Sequence, residues 1–149
     1  MLIRSEIIID APRPEVVELF DNPDNLKKWQ PELKSLEHLS GTPGQTGAKS
    51  RLRYKSGKRE VILLETIHKK NLPDEMELSF EAPGANNRTY ITFTEIEGGK
   101  TKYVTEQEFK FTGMMKLIGW MMKGIFEKQS MKYLMQFKFY AESELKKAR

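Results

Sequence analysis

A long alternating segment followed directly by a long helical one is the feature that most constrains this fold. From about residue 49 to residue 112, apolar and polar side chains alternate between short turn sequences, which predicts a meander of antiparallel strands. After Gly113 the apolar spacing becomes helical and stays so to about Lys147. A sheet with one apolar face and a helix with an apolar stripe can bury both by packing together. We therefore expect a single α+β domain over residues 1–149.

The first forty residues predict the elements that precede this meander. Leu2–Ile9 is apolar and β-branched, as in a strand, and Pro12 and Pro14 suit the first turn of a short helix. A second short helix is predicted over Asp24–Lys28, followed by a strand over Leu33–Leu39. Together with the meander, this makes about seven strands, with two short helices between the first and the second.

Turn sequences predict the register of the hairpins. A two-residue loop at Ser56–Gly57 would place Leu52 opposite Val61, and one at Gly98–Gly99 would place Thr94 opposite Tyr103. A four-residue loop over residues 71–74 would place Ile67 opposite Leu78 and Glu65 opposite Phe80.

Because side chains alternate between the two faces of a strand, these registers predict which residues point inward. The inward set has an aliphatic half and an aromatic and hydroxyl half: Leu52, Val61, Leu63, Glu65, Ile67, Met76, Leu78 and Phe80, then Tyr90, Thr92, Thr94, Tyr103, Thr105, Gln107, Phe109 and Phe111. The loop over residues 82–88 does not fix how the halves join. A shift of one residue there would exchange Tyr90 and Thr92 for Ile91 and Phe93.

The apolar stripe of the C-terminal helical segment changes direction along its length. Residues 114, 118, 121, 122 and 125 share one side, whereas residues 126, 133, 134, 137, 141 and 145 share another. Two interpretations stay open: the helix bends or breaks near Gly124, or its first half faces something other than the sheet.

Three short motifs link this element order to a known family. Ile9–Val16 resembles an I-x-A-P-x-x-x-V entry motif, Asp21–Pro31 a D…W.P segment, and Phe137–Glu144 a Leu-Lys…Glu pattern in a last helix. The chain therefore resembles, over nearly its whole length, the helix-grip fold of the SRPBCC superfamily (START, Bet v 1-like and polyketide cyclase-like proteins). That resemblance implies a curved sheet around the long helix, with a cavity for an apolar or amphipathic molecule between them.

The predicted ligand-binding residues follow from the inward set and from both helical regions. They are Trp29, Tyr54, Leu63, Glu65, Leu78, Phe80, Tyr90, Thr92, Tyr103, Thr105, Gln107, Phe109, Met121 and Ile125. Glu65 is the one ionisable residue among apolar inward neighbours, so desolvation is expected to raise its pKa and make it a weak candidate for acid–base catalysis. The alternative is a carboxylate at the cavity mouth, paired with a lysine or water.

Composition excludes several other classes of site. The chain has no cysteine and only two histidines, His38 and His68, so no metal centre or other cofactor is predicted. The net charge of +4 comes from interspersed residues of both signs, so no nucleic-acid partner is expected. No apolar run is long enough to span a membrane and no signal sequence is recognised, which predicts a cytoplasmic protein.

Three functions remain in competition. The first is binding or transport of a hydrophobic or amphipathic molecule, such as a lipid, a quinone or a polyketide-like compound. The second is a cyclase-like or hydrolase-like enzyme that uses Glu65 as its acid and base. The third is a protein-interaction module through Met114–Met122, a Met-rich segment that contains Trp120 and also suggests transient membrane contact.

Overall fold

The computed structural model describes residues 1–148 and contains seven strands and four α-helices. The strands are β1 (Leu2–Ile9), β2 (Leu33–Ser40), β3 (Lys49–Ser56), β4 (Arg59–Asn71), β5 (Glu75–Ala82), β6 (Ala85–Ile96) and β7 (Lys100–Phe111). The helices are α1 (Arg13–Asp21), α2 (Leu26–Trp29), α3 (Met115–Met121) and α4 (Lys123–Lys147), with a 3₁₀ turn over Pro23–Asn25.

All seven strands form one antiparallel sheet in the order β1-β7-β6-β5-β4-β3-β2. The N-terminal strand therefore closes the meander at β7, and the short helices α1 and α2 connect the two edge strands. The curved sheet wraps around α4, which contacts β1 along its length. The helix-grip architecture predicted from the sequence is confirmed.

Two of the predicted hairpins keep the expected faces. Ile67 pairs with Leu78 and Glu65 with Phe80, as predicted, although the loop has three residues instead of four. A β-bulge at His68 offsets the missing loop residue. In the β3–β4 hairpin the loop is Gly57–Lys58, so Leu52 pairs with Leu63 rather than with Val61. A shift of two residues moves the pairing along the strand without changing the face, so β4 still presents its predicted residues inward.

The third hairpin corrects the predicted inward set. Ile96 pairs with Lys100, so the β6–β7 loop has three residues, and both Gly98 and Gly99 adopt positive φ angles. This extra loop residue reverses the faces of β6 relative to the prediction. Ile91 and Phe93 point inward and are buried, whereas Tyr90 and Thr92 lie on the outer face of the sheet.

The C-terminal helical segment breaks at Met122, close to the predicted position. Met122 is non-helical and separates α3 from α4. Leu134, Phe137 and Ala141 of α4 are buried against the sheet, while most of α3 is exposed. The prediction that the helix bends or breaks near Gly124 is therefore confirmed. The alternative is not, because α3 still packs on β7 through Gly119 and Phe111.

An aromatic cluster fills the space between α4 and one end of the sheet. Phe93 stacks on Tyr103 with ring centroids 4.9 Å apart, and Phe137 meets Tyr103 edge-on at 5.6 Å. Phe20 of α1 and Trp29 of α2 pack on the same group, each edge-on to Phe137. Because these rings are closely packed, this end of the molecule is a solid core.

Polar contacts attach the middle of α4 to the end of β1. Lys138 Nζ donates hydrogen bonds to the Ile8 carbonyl and to Glu142, both at 2.6 Å. Glu142 also accepts a hydrogen bond from the Asp10 backbone amide at 2.9 Å. Lys138 and Glu142 belong to the motif at Phe137–Glu144, so this motif attaches α4 to the end of β1 through hydrogen bonds.

Candidate functional site

A cavity of about 580 Å³ lies between the sheet and α4, beyond the aromatic cluster. Its walls come from β3 to β7, its floor from α4, and its ends from α2 and α3. Most of the lining is aliphatic or aromatic, with a smaller number of polar side chains. Ligand pockets of this size are typically apolar with a few orienting polar groups, which is the arrangement found here.

Most of the residues predicted to bind a ligand line this cavity. They are Trp29, Tyr54, Leu63, Glu65, Leu78, Phe80, Tyr103, Thr105, Gln107 and Phe109. They come from elements that are distant in sequence, and the strand period of two brings the side chains of the sheet to one face.

Four predicted residues lie outside the cavity. Tyr90 and Thr92 were placed inward by an assumed two-residue β6–β7 loop, and the three-residue loop turns them outward. Met121 of α3 and Ile125 in the first turn of α4 are 77% and 59% exposed, so both lie on helix sides that face away from the cavity. From the same region, Met115, Ile118 and Met122 line the cavity instead.

Sequence reasoning missed several lining residues, above all Thr89 and Ile91 of β6 and Ser130 and Tyr133 of α4. The first two follow from the corrected β6 face. Ser130 and Tyr133 continue the helical spacing of Phe126, Leu134 and Phe137, so the stripe of α4 contained a signal for them.

Glu65 provides the acidic group of the cavity. It lies on β4 between Leu63 and Ile67, and burial raises its pKa to about 7. Tyr54 of the neighbouring strand donates a hydrogen bond to Gln30 Oε1 at 2.7 Å. Burial, Tyr133 and the nearby Glu65 charge raise the pKa of Tyr54, so its phenol stays protonated. A carboxyl with a pKa of about 7 is present in both its protonated and its charged form at neutral pH.

A chain of hydrogen bonds crosses the opposite wall from β6 to α4. Thr89 Oγ1 donates to Asn87 Oδ1 at 2.7 Å, and Asn87 Nδ2 donates to Gln107 Oε1 at 2.8 Å. Gln107 Nε2 then donates to Ser130 Oγ at 2.5 Å. Because each of these side chains is held by its neighbour, their positions are fixed before any molecule enters the cavity.

Two buried polar groups on cavity-lining residues have no hydrogen-bond partner within residues 1–148. Trp29 is 6% exposed and its indole Nε1 is unpaired, while Thr105 is 4% exposed and its hydroxyl is unpaired. Both side chains line the cavity. An unsatisfied buried donor raises the free energy of the protein by about 1–3 kcal/mol, so these groups favour an occupant with hydrogen-bonding oxygens.

Exposed lining residues mark the mouth of the cavity. Arg59 is the first residue of β4, Pro83 lies in the β5–β6 turn, Asn86 is the second residue of β6, and Ile118 belongs to α3. Arg59 forms no ion pair with the described residues, so its guanidinium is available to an anionic group at the entrance. The mouth therefore combines a cation with the apolar surface of α3.

Neither histidine lines the cavity. His68 lies at a β-bulge on the outer face of the sheet, where its Nε2 is 2.7 Å from Ser79 Oγ, and His38 contacts the Gly41 carbonyl. Within residues 1–148 no three histidine or acidic side chains cluster as metal ligands. The helices of that range include none that is long and apolar enough to cross a membrane.

Solved structures share this fold over nearly the full chain. An aromatase/cyclase named ZhuI from Streptomyces sp. R1128 aligns with a TM-score of 0.82 and 13% identity, covering 97% of this chain and 95% of that one. TTHA0849 from Thermus thermophilus aligns with a TM-score of 0.78 and 18% identity, covering 97% of this chain and 99% of that one. A START superfamily protein from Mycobacterium smegmatis aligns with a TM-score of 0.73 and 9% identity, covering 99% of each chain.

A comparison with curated proteins gave no significant match. The family model described as "polyketide cyclase / dehydrase and lipid transport" matches residues 2–135, which is most of the chain. The resemblance to the SRPBCC superfamily is thereby confirmed, and the chain belongs to the polyketide cyclase / dehydrase and lipid transport family.

Proposed function

We propose that this protein binds and carries a hydrophobic or amphipathic small molecule in the cavity between the sheet and α4. The observation that supports this most is an apolar space of about 580 Å³ whose walls contain unpaired polar groups. Empty apolar space removes packing contacts from its lining, so a cavity of this size lowers stability unless a guest fills it.

The polar groups favour a particular class of guest. The Trp29 indole can only donate a hydrogen bond, the Thr105 hydroxyl donates or accepts, and Glu65 donates when protonated. Such a set recognises ligand oxygens that accept hydrogen bonds. We expect an apolar skeleton with carbonyl or hydroxyl oxygens, as in a quinone, a fatty acyl compound or a polyketide-like molecule.

Native mass spectrometry of gently purified protein, with competition by a fluorescent fatty acid and by a short-chain quinone, tests this proposal. We expect a co-purified mass or saturable displacement of the probe. Leu63→Trp fills the cavity and is expected to weaken probe binding at least tenfold. Ile62→Trp is the matched control, because Ile62 is the adjacent residue of β4 on the outer, exposed face.

Two results would refute the carrier proposal. One is the absence of any co-purified mass together with the absence of saturable binding by either probe. The other is an equal loss of binding in Leu63→Trp and Ile62→Trp, since that would place the bound probe outside the cavity. Thermal unfolding of each variant checks that the fold is retained.

A cyclase-like enzyme is the second candidate, because Glu65 combines burial, access to the cavity and a pKa of about 7. Structural similarity to an aromatase/cyclase agrees with this candidate. The Glu65 carboxylate would remove a proton from a carbon between two carbonyl groups of a poly-β-ketone, and the enolate carbon would attack another carbonyl carbon of the same chain. A carbon–carbon bond forms as that C=O becomes an alkoxide, which takes the proton back from Glu65. Glu65→Gln is then expected to abolish cyclisation of such a substrate while changing its binding only a few-fold. Binding without turnover in the wild-type protein would exclude the enzyme and leave the carrier.

A further inference from the structure

The helix α3 is apolar on both of its sides. Met115, Ile118 and Met122 line the cavity. On the other side, the exposed apolar patch consists of Met114, Leu117, Trp120 and Met121, whose side chains are 77–83% exposed. Several large apolar side chains exposed side by side are typical of an interaction surface, whereas single exposed apolar residues are common on any protein surface.

The position of α3 is set by close backbone contacts rather than by burial of this patch. Gly119 lies so near the Phe111 ring that a Cβ atom there would be 2.6 Å from it. The segment before α3 is held by a hydrogen bond of 3.0 Å from the Thr112 amide to the Gly84 carbonyl. These contacts hold α3 against β7 with the patch facing outward.

The stretch of sequence that contains the exposed apolar patch carries charges of one sign. No acidic residue occurs between Glu108 and Glu127, whereas Lys110, Lys116 and Lys123 are all exposed in that interval. Glu108 and Glu127 flank the interval and lie 3.9 and 4.0 Å from Lys110 and Lys123. Lys116, in the middle of the patch, pairs with no described acidic residue.

We propose that α3 docks on an anionic lipid bilayer, with the exposed apolar patch inserted at the interface and Lys110, Lys116 and Lys123 beside the lipid phosphates. A Trp together with aliphatic residues and flanking lysines is the composition of interfacial helices. A second copy of this chain is a poorer occupant, because a twofold contact through the patch would bring two like-charged lysine sets together. The docking proposal does not depend on the contents of the cavity.

Docking would also bring the cavity mouth to the lipid surface. Ile118 both lines the cavity and is partly exposed beside the patch. An apolar guest could then pass between acyl chains and the cavity without crossing water. This consequence rests on the proposed carrier function, whereas the docking itself does not.

Co-flotation of the full chain with vesicles tests the docking. Vesicles of phosphatidylcholine with about one third phosphatidylglycerol are compared with phosphatidylcholine alone, at low and high salt. We expect binding at least tenfold tighter to the anionic vesicles and weaker binding at high salt. Leu117→Ser/Met121→Ser should lower binding at least tenfold. Phe139→Ser, which removes an apolar side chain that is 60% exposed on α4, is the matched control and should bind like wild type.

Depth is measured with brominated acyl chains, which quench tryptophan fluorescence on contact. Because Trp29 is buried, quenching should come from Trp120 and disappear in Trp120→Phe while vesicle binding remains. Equal binding to both vesicle types, no binding to either, or equal losses in the α3 and Phe139 variants would overturn the proposal. So would self-association in sedimentation velocity that Leu117→Ser/Met121→Ser abolishes while vesicles have no effect. Probe binding to the cavity, measured on the same samples, separates this failure from failure of the carrier function.

Discussion

The two parts of the C-terminal helical segment have similar apolar side chains and opposite surroundings. In α4, Leu134, Phe137 and Ala141 are at most 2% exposed, because the sheet, α1 and α2 cover them. In α3, Leu117 and Trp120 are almost fully exposed, because no described element lies beyond them. Apolar character alone therefore does not identify a core residue.

The same difference separates the two ends of the molecule. Around Phe137 the rings are closely packed and stabilise the fold. Around Phe126 the rings of Phe109 and Phe111 stack on one side only, at 5.0 and 5.7 Å, and the cavity opens beside them. We conclude that the end of the molecule around Phe137 stabilises the fold, whereas the end around Phe126 and α3 contains the cavity and the exposed apolar patch.

Phe137→Ala should have the largest effect. It removes the centre of the aromatic cluster, so we expect the free energy of unfolding to fall by about 3–5 kcal/mol in urea denaturation. Phe139→Ala, two residues further along α4 and exposed, should change it by less than about 0.5 kcal/mol. Similar losses in both variants would remove the distinction between a packed and an open side of α4.

Glu65→Gln should sharpen the comparison through its pH dependence. The folded pKa of about 7 exceeds the ordinary value of 4.5, so the folded protein keeps a proton that the unfolded chain has released between those pH values. Wild-type stability is therefore full below about pH 4.5 and falls as the pH rises towards about 7. The variant has no carboxyl to ionise and avoids this loss. The difference in free energy of unfolding between Glu65→Gln and wild type should therefore grow in favour of the variant, from near zero at low pH to at most about 3 kcal/mol at high pH. Denaturation across pH measures the difference, and a constant difference would mean that Glu65 is hydrated.

Gly119→Ala tests how α3 is held. The added methyl group would overlap the Phe111 ring, so we expect α3 to separate from β7 at a loss of about 1–3 kcal/mol. Hydrogen exchange should become faster in α3 and stay slow in α4. Gly124→Ala is the control, since a Cβ there meets nothing within 4 Å. Faster exchange throughout α4 would mean that both helices open as one unit.

Trp120→Ala should have the smallest effect on stability. Trp120 is 80% exposed, so its removal should change the free energy of unfolding by less than about 0.5 kcal/mol. Thermal or urea denaturation in the absence of lipid measures this. A loss comparable with that of Phe137→Ala would show that the exposed apolar patch is part of the core.

The sequence predicts the fold well because its signals are local and repeated. Alternation over residues 49–112 identifies strands. The β4–β5 turn has three residues rather than the predicted four, and a β-bulge at His68 offsets the difference, so Glu65 still pairs with Phe80. The break near Gly124 is also visible, since two apolar stripes on one straight helix cannot face one sheet.

Other features depend on details that no local pattern determines. A loop of two residues and a loop of three residues are both compatible with the Gly98–Gly99 sequence, yet they place Tyr90 on opposite faces. Likewise, the exposure of Met121 depends on how α3 packs against Phe111, which is a tertiary contact. The lining residues of the long β7 were predictable because alternation along the strand places Tyr103, Thr105, Gln107 and Phe109 on one face.

The three-residue turn over residues 97–99 governs the interior although it lies on the surface. Deleting one of its residues would restore the two-residue hairpin and turn Phe93 towards water while bringing Tyr90 inside. Such a deletion would replace the apolar side chains of Ile91 and Phe93 on the inner face by Tyr90 and Thr92. It would also remove the stacking of Phe93 on Tyr103. The length of this surface loop thereby determines which side chains of β6 line the interior.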